Sequence, residues 1–152
     1  MANSRHQPPM QRALALAAAA AERGEVPVGA VLLSAQGEVL AEAHNRVETD
    51  ADPTAHAELL AIRAATAERG DARLPDAALY VTLEPCAMCA AAIAFARLRR
   101  VVFGAYDPKG GGVEHGARVF DRPTCHHHPE IIGGVRETAC AALLRGFFQE
   151  RR

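Results

Sequence analysis

The spacing of apolar positions predicts a helix and then a β-hairpin at the start of the chain. Alanine and leucine recur at helical spacing over residues 10–23, and Gly24 follows as a typical helix stop. The uncharged run over residues 28–33 is typical of a buried strand. Residues 38–43 are its predicted partner across the "SAQGE" turn.

The middle of the chain predicts helices that alternate with buried strands. A helix over residues 55–69 places Leu59, Leu60 and Ile62 on its apolar side. The short strand "ALYVTL" (78–83) is followed by a helix within "EPCAMCAAAIAFARLRR", with Pro85 near its first turn, and then by the strand "RVVFGA" (100–105). A strand, a helix and a strand in this order predict parallel pairing through a right-handed crossover.

The last third begins with a long glycine-rich loop over residues 106–129, in which we predict a short helix over 114–120. A last strand is predicted in "EIIGGV", and an amphipathic helix over 135–151. These elements predict an α/β fold, a mixed sheet with helices on both faces. The length of 152 residues fits one domain, which we expect to span residues 1–152.

Composition and charge narrow the class of protein. No apolar run reaches the roughly 18 residues that a membrane span needs, so we expect no membrane partner. The run "ALALAAAAAERGEV" is interpreted as the first helix and not as a signal peptide, because charged residues stand where a cleavage site would follow. A cytoplasmic protein is therefore expected. The net charge of −1 neither favours nor excludes a nucleic-acid substrate.

The chain has four cysteines, and two of them, Cys86 and Cys89, form a C-x-x-C pair that indicates metal or thiol chemistry. Cys125 and Cys140 are interpreted as ordinary thiols. The run "CHHH" over residues 125–128 is interpreted as a loop segment, because adjacent residues in one loop seldom converge on one metal ion.

His56 supplies a third potential ligand, and three protein ligands leave one tetrahedral position of a zinc ion open, as in catalytic sites. Glu58 lies two residues beyond His56, where it can stand beside that position and carry protons. Alone, the His-x-Glu pair could be a polar helix start, and the C-x-x-C pair could be redox-active. Together, each at a predicted helix start, they predict a hydrolytic zinc site.

The segments "HAE" and "PCAMC" resemble the H-x-E…P-C-x-x-C signature of the zinc-dependent cytidine and nucleobase deaminases. Over residues 14–152, the segments "EVPVGAV", "HNR", "DPTAHAE", "LYVTLEPCAMCA", "DPK" and "ACAALLRGFF" resemble the bacterial tRNA-specific adenosine deaminases. The resemblance implies a cytidine-deaminase-like three-layer α/β/α fold with a five-stranded mixed sheet. It also implies a homodimer with one Zn²⁺ per subunit, held by His56, Cys86 and Cys89.

The same resemblance implies a reaction and a set of substrate contacts. Glu58 would be the general acid/base for attack of water at C6 of adenine, giving inosine at the wobble position of a tRNA anticodon stem-loop. Asn45 would hydrogen-bond the flipped base. The remaining implied residues are pocket-lining Glu25 and Val28, and Asp107 and Lys109 near the sugar and phosphates.

One loop departs from this pattern. Many relatives have "GAAGS" shortly after the "DPK" motif, whereas this chain has "GGGVEHG", which introduces Glu114 and His115. A negative charge at Glu114 would oppose RNA binding if it faced the phosphates.

Two alternative functions stay open. One is a deaminase of free bases or nucleosides such as guanine or cytosine, in which Glu114 and His115 help to cap a small pocket. The other is a structural zinc domain in which Glu58 is idle.

Overall fold

A computed structural model of the chain describes residues 4–151, which form one five-stranded sheet with strand order β2-β1-β3-β4-β5. The strands are β1 (Gly29–Leu33), β2 (Val39–His44), β3 (Ala78–Leu83), β4 (Arg100–Ala105) and β5 (Glu130–Ile132). Strand β1 is antiparallel to β2 and β3, whereas β4 is parallel to β3 and β5. The mixed sheet, the first hairpin and the parallel β3–β4 pair confirm the sequence prediction.

Four helices cover the two faces of the sheet: α1 (Gln7–Glu22), α2 (Ala57–Arg69), α3 (Ala87–Phe95) and α4 (Glu137–Glu150). Strand side chains alternate between the faces. Leu79 and Val81 pack in the core with α2 and α3, whereas Ala78 and Tyr80 pack in the core with α1 and α4. The predicted three-layer arrangement is thus confirmed. Among residues 4–151, no helix is long and apolar enough to cross a membrane.

The starts of three helices differ from the prediction by two or three residues. Helix α1 begins three residues earlier than predicted, because Pro8 and Pro9 fit a first turn whose N–H groups have no partner within the helix. Helix α2 begins two residues later, at Ala57, because His56 has extended backbone angles (φ −79°, ψ 149°). Helix α4 begins at Glu137 after Arg136, which is left-handed (φ 53°).

The long loop after β4 contains a single 3₁₀ turn, Val119–Asp121, so the predicted helix over residues 114–120 is wrong. Gly116 and Arg118 within that range are left-handed (φ 58° and 45°), which interrupts a right-handed helix. The backbone N–H groups of Val113, Glu114 and His115 donate to the side chain of Glu84. The last strand is also shorter than predicted. It ends at Ile132, ahead of Gly134, which is left-handed (φ 82°).

Candidate active site

Three potential metal ligands meet where α2 and α3 begin. His56 is the N-cap residue of α2, Cys86 is the N-cap residue of α3, and Cys89 lies in the first turn of α3. The Nδ1 atom of His56 is 3.6 Å from the Sγ atom of Cys86 and 3.5 Å from that of Cys89. The positive dipole ends of both helices therefore face this group.

The three residues fit a zinc ion. Zinc–nitrogen and zinc–sulfur bonds of about 2.05 and 2.3 Å at a tetrahedral angle put the two donors about 3.6 Å apart. The observed nitrogen–sulfur distances of 3.5 and 3.6 Å agree with that value. All three donor atoms lie within 4.8 Å of one another. One imidazole and two thiols are also the donor types that zinc prefers.

The surroundings of Cys86 favour its thiolate, which is the form of cysteine that binds metals. A hydrogen bond from Cys89, supported by one from His56, lowers the pKa of Cys86 to about 4 although burial opposes this. The site thus favours one negatively charged sulfur even before metal binding.

Glu58 stands next to this group without belonging to it. It lies in the first turn of α2 and is 4% exposed. Burial raises its pKa to about 7, against a smaller opposing effect of its own backbone N–H. A carboxyl group that exchanges a proton near neutral pH is suited to general acid–base chemistry.

A cavity of about 570 Å³ opens beside these residues, within the usual size range of small-molecule sites. Its wall includes most of the residues that the sequence singled out. These are Glu25, Val28, Asn45, His56, Glu58, Cys86 and Asp107. Lys109 does not line this cavity and lies on an adjoining shallow recess with Tyr106 and Phe148.

Two of these wall residues also hold the backbone around the site. The Asn45 side-chain oxygen accepts a hydrogen bond from the N–H of Ala57 at 2.8 Å and so caps the start of α2 from a distance. The Glu25 carboxylate accepts from the N–H of Glu48 at 3.1 Å, and from the N–H and hydroxyl of Thr49 at 2.7 and 2.6 Å. Burial opposes ionisation of Glu25, but these hydrogen bonds outweigh it and lower its pKa.

Glu114 and His115 in the departing loop do not close over the cavity. Neither residue lines it, and Glu114 faces a separate recess with Arg118 and Phe120. The two residues therefore do not cap a small pocket.

Sequence reasoning missed Glu84, whose buried carboxylate accepts five hydrogen bonds from this loop. Burial opposes its ionisation, but the hydrogen bonds from Asp107, His115 and Glu114 outweigh it and lower its pKa. The available signal was a carboxyl group directly before Pro85, at the end of an uncharged strand.

Two cavity residues on α4 were also missed. Phe147 and Arg151 line the cavity, and the guanidinium carbon of Arg151 lies 3.6 Å from the ring centre of Phe147. The sequence predicted an amphipathic helix here, but the helical pattern does not show that α4 ends beside the site.

The "CHHH" run behaves as a loop segment. The Cys125 thiol donates to the backbone oxygen of His127, whose ring nitrogen lies 2.6 Å from the backbone oxygen of Leu98. Within residues 4–151, the group formed by His56, Cys86 and Cys89 is the one His, Cys, Asp and Glu cluster arranged to hold a metal.

The chain is similar to known proteins over nearly its whole length. Residues 3–105 match the family described as the cytidine and deoxycytidylate deaminase zinc-binding region. A tRNA-specific adenosine deaminase of Agrobacterium fabrum is 55% identical over 143 residues, covering 94% of this chain and 93% of the relative. The Bacillus subtilis protein of the same name is 46% identical and covers 94% and 88%.

A solved structure from a study of A-to-I editing by tRNA:A34 deaminases superimposes with a TM-score of 0.87 at 54% identity. The match covers 90% of this chain and 98% of the other. The fold, the zinc-binding region and the full-length identity agree. The chain therefore belongs to the cytidine and deoxycytidylate deaminase family, in the group of its members named tRNA-specific adenosine deaminases.

Proposed function

We propose that the chain hydrolytically deaminates adenosine to inosine at the wobble position of a tRNA anticodon stem-loop. One observation carries the chemistry: two donors of the metal group, His56 and Cys86, line the same cavity as the buried, non-ligating Glu58. The relatives named tRNA-specific adenosine deaminases support the choice of substrate.

The proposed mechanism divides metal binding and proton transfer between residues. His56, Cys86 and Cys89 hold one zinc ion, which when bound supplies the Lewis acidity that lowers the pKa of water to about 7. Glu58 accepts a proton from the water that attacks C6 of adenine. It donates that proton to the neighbouring ring nitrogen. It then takes the second proton from the new hydroxyl group on C6 and passes it to the amine, which leaves as ammonia while the C6 carbonyl forms.

The cavity wall would position the nucleotide. The Asn45 side-chain oxygen is held by Ala57, so its amide nitrogen is the donor left to bind the flipped base. Glu25 acts through its bonds to the Glu48–Thr49 backbone, and Val28 contributes an apolar wall. Asp107 lines the cavity near the sugar, and Lys109 on the adjoining recess faces the backbone phosphates.

The alternative is deamination of a free base or nucleoside. A comparison of substrates separates the two: the purified protein is incubated with a stem-loop RNA with an ACG anticodon and, separately, with guanine, cytosine, adenosine and cytidine. Inosine in the RNA, without ammonia from the small molecules, is the expected result. Ammonia from guanine or cytosine with unchanged RNA would overturn the proposal.

We further propose that the chain acts as a homodimer. Phe95, at the end of α3, is 78% exposed beside an apolar recess formed with Ala91, Ala94 and Val119. An exposed aromatic beside such a recess suits a self-complementary interface. Phe95→Asp should convert the dimer to a monomer in light scattering, whereas the control Val39→Asp, at a residue 44% exposed on β2, should not. A monomeric wild type, or a dimeric Phe95→Asp variant, would contradict this interface.

We also propose that residues 1–152 act as a single zinc-dependent deaminase domain in the cytoplasm. One sheet with one continuous order supports the single domain. The cytoplasm is supported by the metal group, because Cys86 and Cys89 bind metal only as reduced thiolates.

A further inference from the structure

The long loop after β4 folds onto one buried carboxylate, that of Glu84, which is 2% exposed. Its Oε2 atom accepts hydrogen bonds from the successive backbone N–H groups of Val113, Glu114 and His115 at 3.2, 2.9 and 3.0 Å. Successive N–H groups that converge in this way form an anion-binding nest. Here the anion is a side chain of the same protein.

The other carboxylate oxygen of Glu84 accepts hydrogen bonds from both ends of the loop segment 107–115. Its Oε1 atom accepts from the backbone N–H of Asp107 at 3.0 Å and from Nδ1 of His115 at 2.9 Å. The loop backbone also packs closely against this carboxylate: a Cβ atom on Gly111 would lie 2.4 Å from Oε2 of Glu84. Residues 107 and 115 are therefore tied to one point, and the segment between them is fixed at both ends.

The segment 107–115 lies between the cavity wall and the metal-binding start of α3. Asp107 and Gly110 form part of the cavity wall. Glu84 also precedes the metal-binding Cys86 by two residues, and Gly112 donates to the backbone oxygen of Pro85 at 2.8 Å. The carboxylate thus sets the distance between the substrate-facing wall and the start of α3.

We infer that His115 is a positioning residue that, through Glu84, holds the Asp107–Gly110 wall in place for the substrate. The inference rests on the proposed function. His115 provides the one side-chain donor among the five hydrogen bonds to Glu84, and its side chain is 36% exposed. It can therefore be replaced without opening the core, unlike Glu84 itself.

Steady-state kinetics of the zinc-loaded protein on the stem-loop RNA test the inference. His115→Ala should raise KM about tenfold, the lower end of the loss expected for a hydrogen bond to a charged group, with kcat changed less than about threefold. His115→Asn places an amide donor near the position of Nδ1 and should bring KM back to within about threefold of the wild type. The control His128→Ala removes another loop histidine, whose Nδ1 lies 3.0 Å from the backbone oxygen of Pro129, and should leave KM unchanged.

Amide hydrogen exchange at Val113, Glu114 and His115 gives a readout that needs no substrate. Exchange should accelerate in His115→Ala and return to the wild-type rate in His115→Asn. An unchanged KM in His115→Ala, a failure of His115→Asn to restore it, or unchanged exchange would overturn the inference. If the wild type deaminates no RNA, the proposed function fails, and the exchange rates alone decide whether His115 holds the loop.

Discussion

Replacement of Glu25 tests whether a pocket-lining carboxylate holds the wall of the cavity. Its side chain is 1% exposed and accepts from the N–H groups of Glu48 and Thr49. In Glu25→Ala, the N–H groups of Glu48 and Thr49 lose their acceptor, but both residues are exposed, so water can replace it. Each lost hydrogen bond then costs about 0.5–1.5 kcal/mol, so the free energy of unfolding should fall by about 1–3 kcal/mol. In Glu25→Gln, the amide oxygen can still accept from Thr49 while its NH₂ group cannot accept from the Glu48 N–H, for a smaller loss of about 0.5–1.5 kcal/mol.

Urea unfolding of the three proteins measures these losses as shifts of the midpoint at constant slope. A loss of 2 kcal/mol should also lower Tm by at least about 4 °C in a chain of this size. Glu38→Ala, which changes an exposed glutamate in the β1–β2 turn, is the matched control and should stay within about 0.5 kcal/mol of the wild type. The reasoning would be refuted if Glu25→Ala were as stable as this control.

The lowered pKa of Glu25 also predicts how the stability of the protein changes at acidic pH. The pKa of Glu25 is lower in the folded protein than its usual value, so its contribution to stability is complete above the unfolded-state pKa of about 4.3. That contribution should disappear as the pH falls through the folded pKa. Urea midpoints measured from about pH 6 down to about pH 3 should therefore fall less steeply in Glu25→Gln than in the wild type. Parallel curves would contradict the assignment.

Three further substitutions separate chemistry from packing. Glu58→Gln should keep about one zinc per chain by elemental analysis while turnover falls about 10²–10⁴-fold, and near-normal turnover would contradict its role as proton carrier. Gly112→Ala should destabilise the fold and reduce zinc retention, because the added Cβ would lie 2.5 Å from the backbone nitrogen of Ala87 in the first turn of α3. Gly146→Ala should raise stability by about 0.5–1 kcal/mol in urea unfolding, since this position in α4 has no atom within 4 Å of an added Cβ. A loss of stability in Gly146→Ala would show that α4 packs differently.

Features encoded locally could be predicted from the sequence. Uncharged runs predicted the central strands, which are buried on both faces, and apolar residues at helical spacing predicted the long helices. The metal group could be predicted because His56, Cys86 and Cys89 each mark a helix start by their neighbours in the chain. The roles of these residues and of Glu58 stay predictions until the variants are measured.

Features that depend on contacts distant in sequence could not be predicted. The bond between the Asn45 side chain and Ala57 joins two elements whose approach no periodicity encodes. The bonds from the N–H groups of residues 113–115 to Glu84, 29 to 31 residues away, likewise have no local signal. The predicted helix over residues 114–120 failed because Gly116 and Arg118 are left-handed. A loop without a repeating pattern takes its shape from what it binds, and a single sequence does not show that partner.

The anchor at Glu84 also bears on how this loop can change during evolution. Four of its five donors are backbone N–H groups, which every residue except proline provides. The exposed side chains of Pro108 and Lys109 can thus be exchanged while the anchoring bonds persist. The charge of the recess that Lys109 lines beside the cavity can consequently differ among homologues without a change of the loop backbone. A library that randomises position 109 would exploit the same freedom to alter substrate preference.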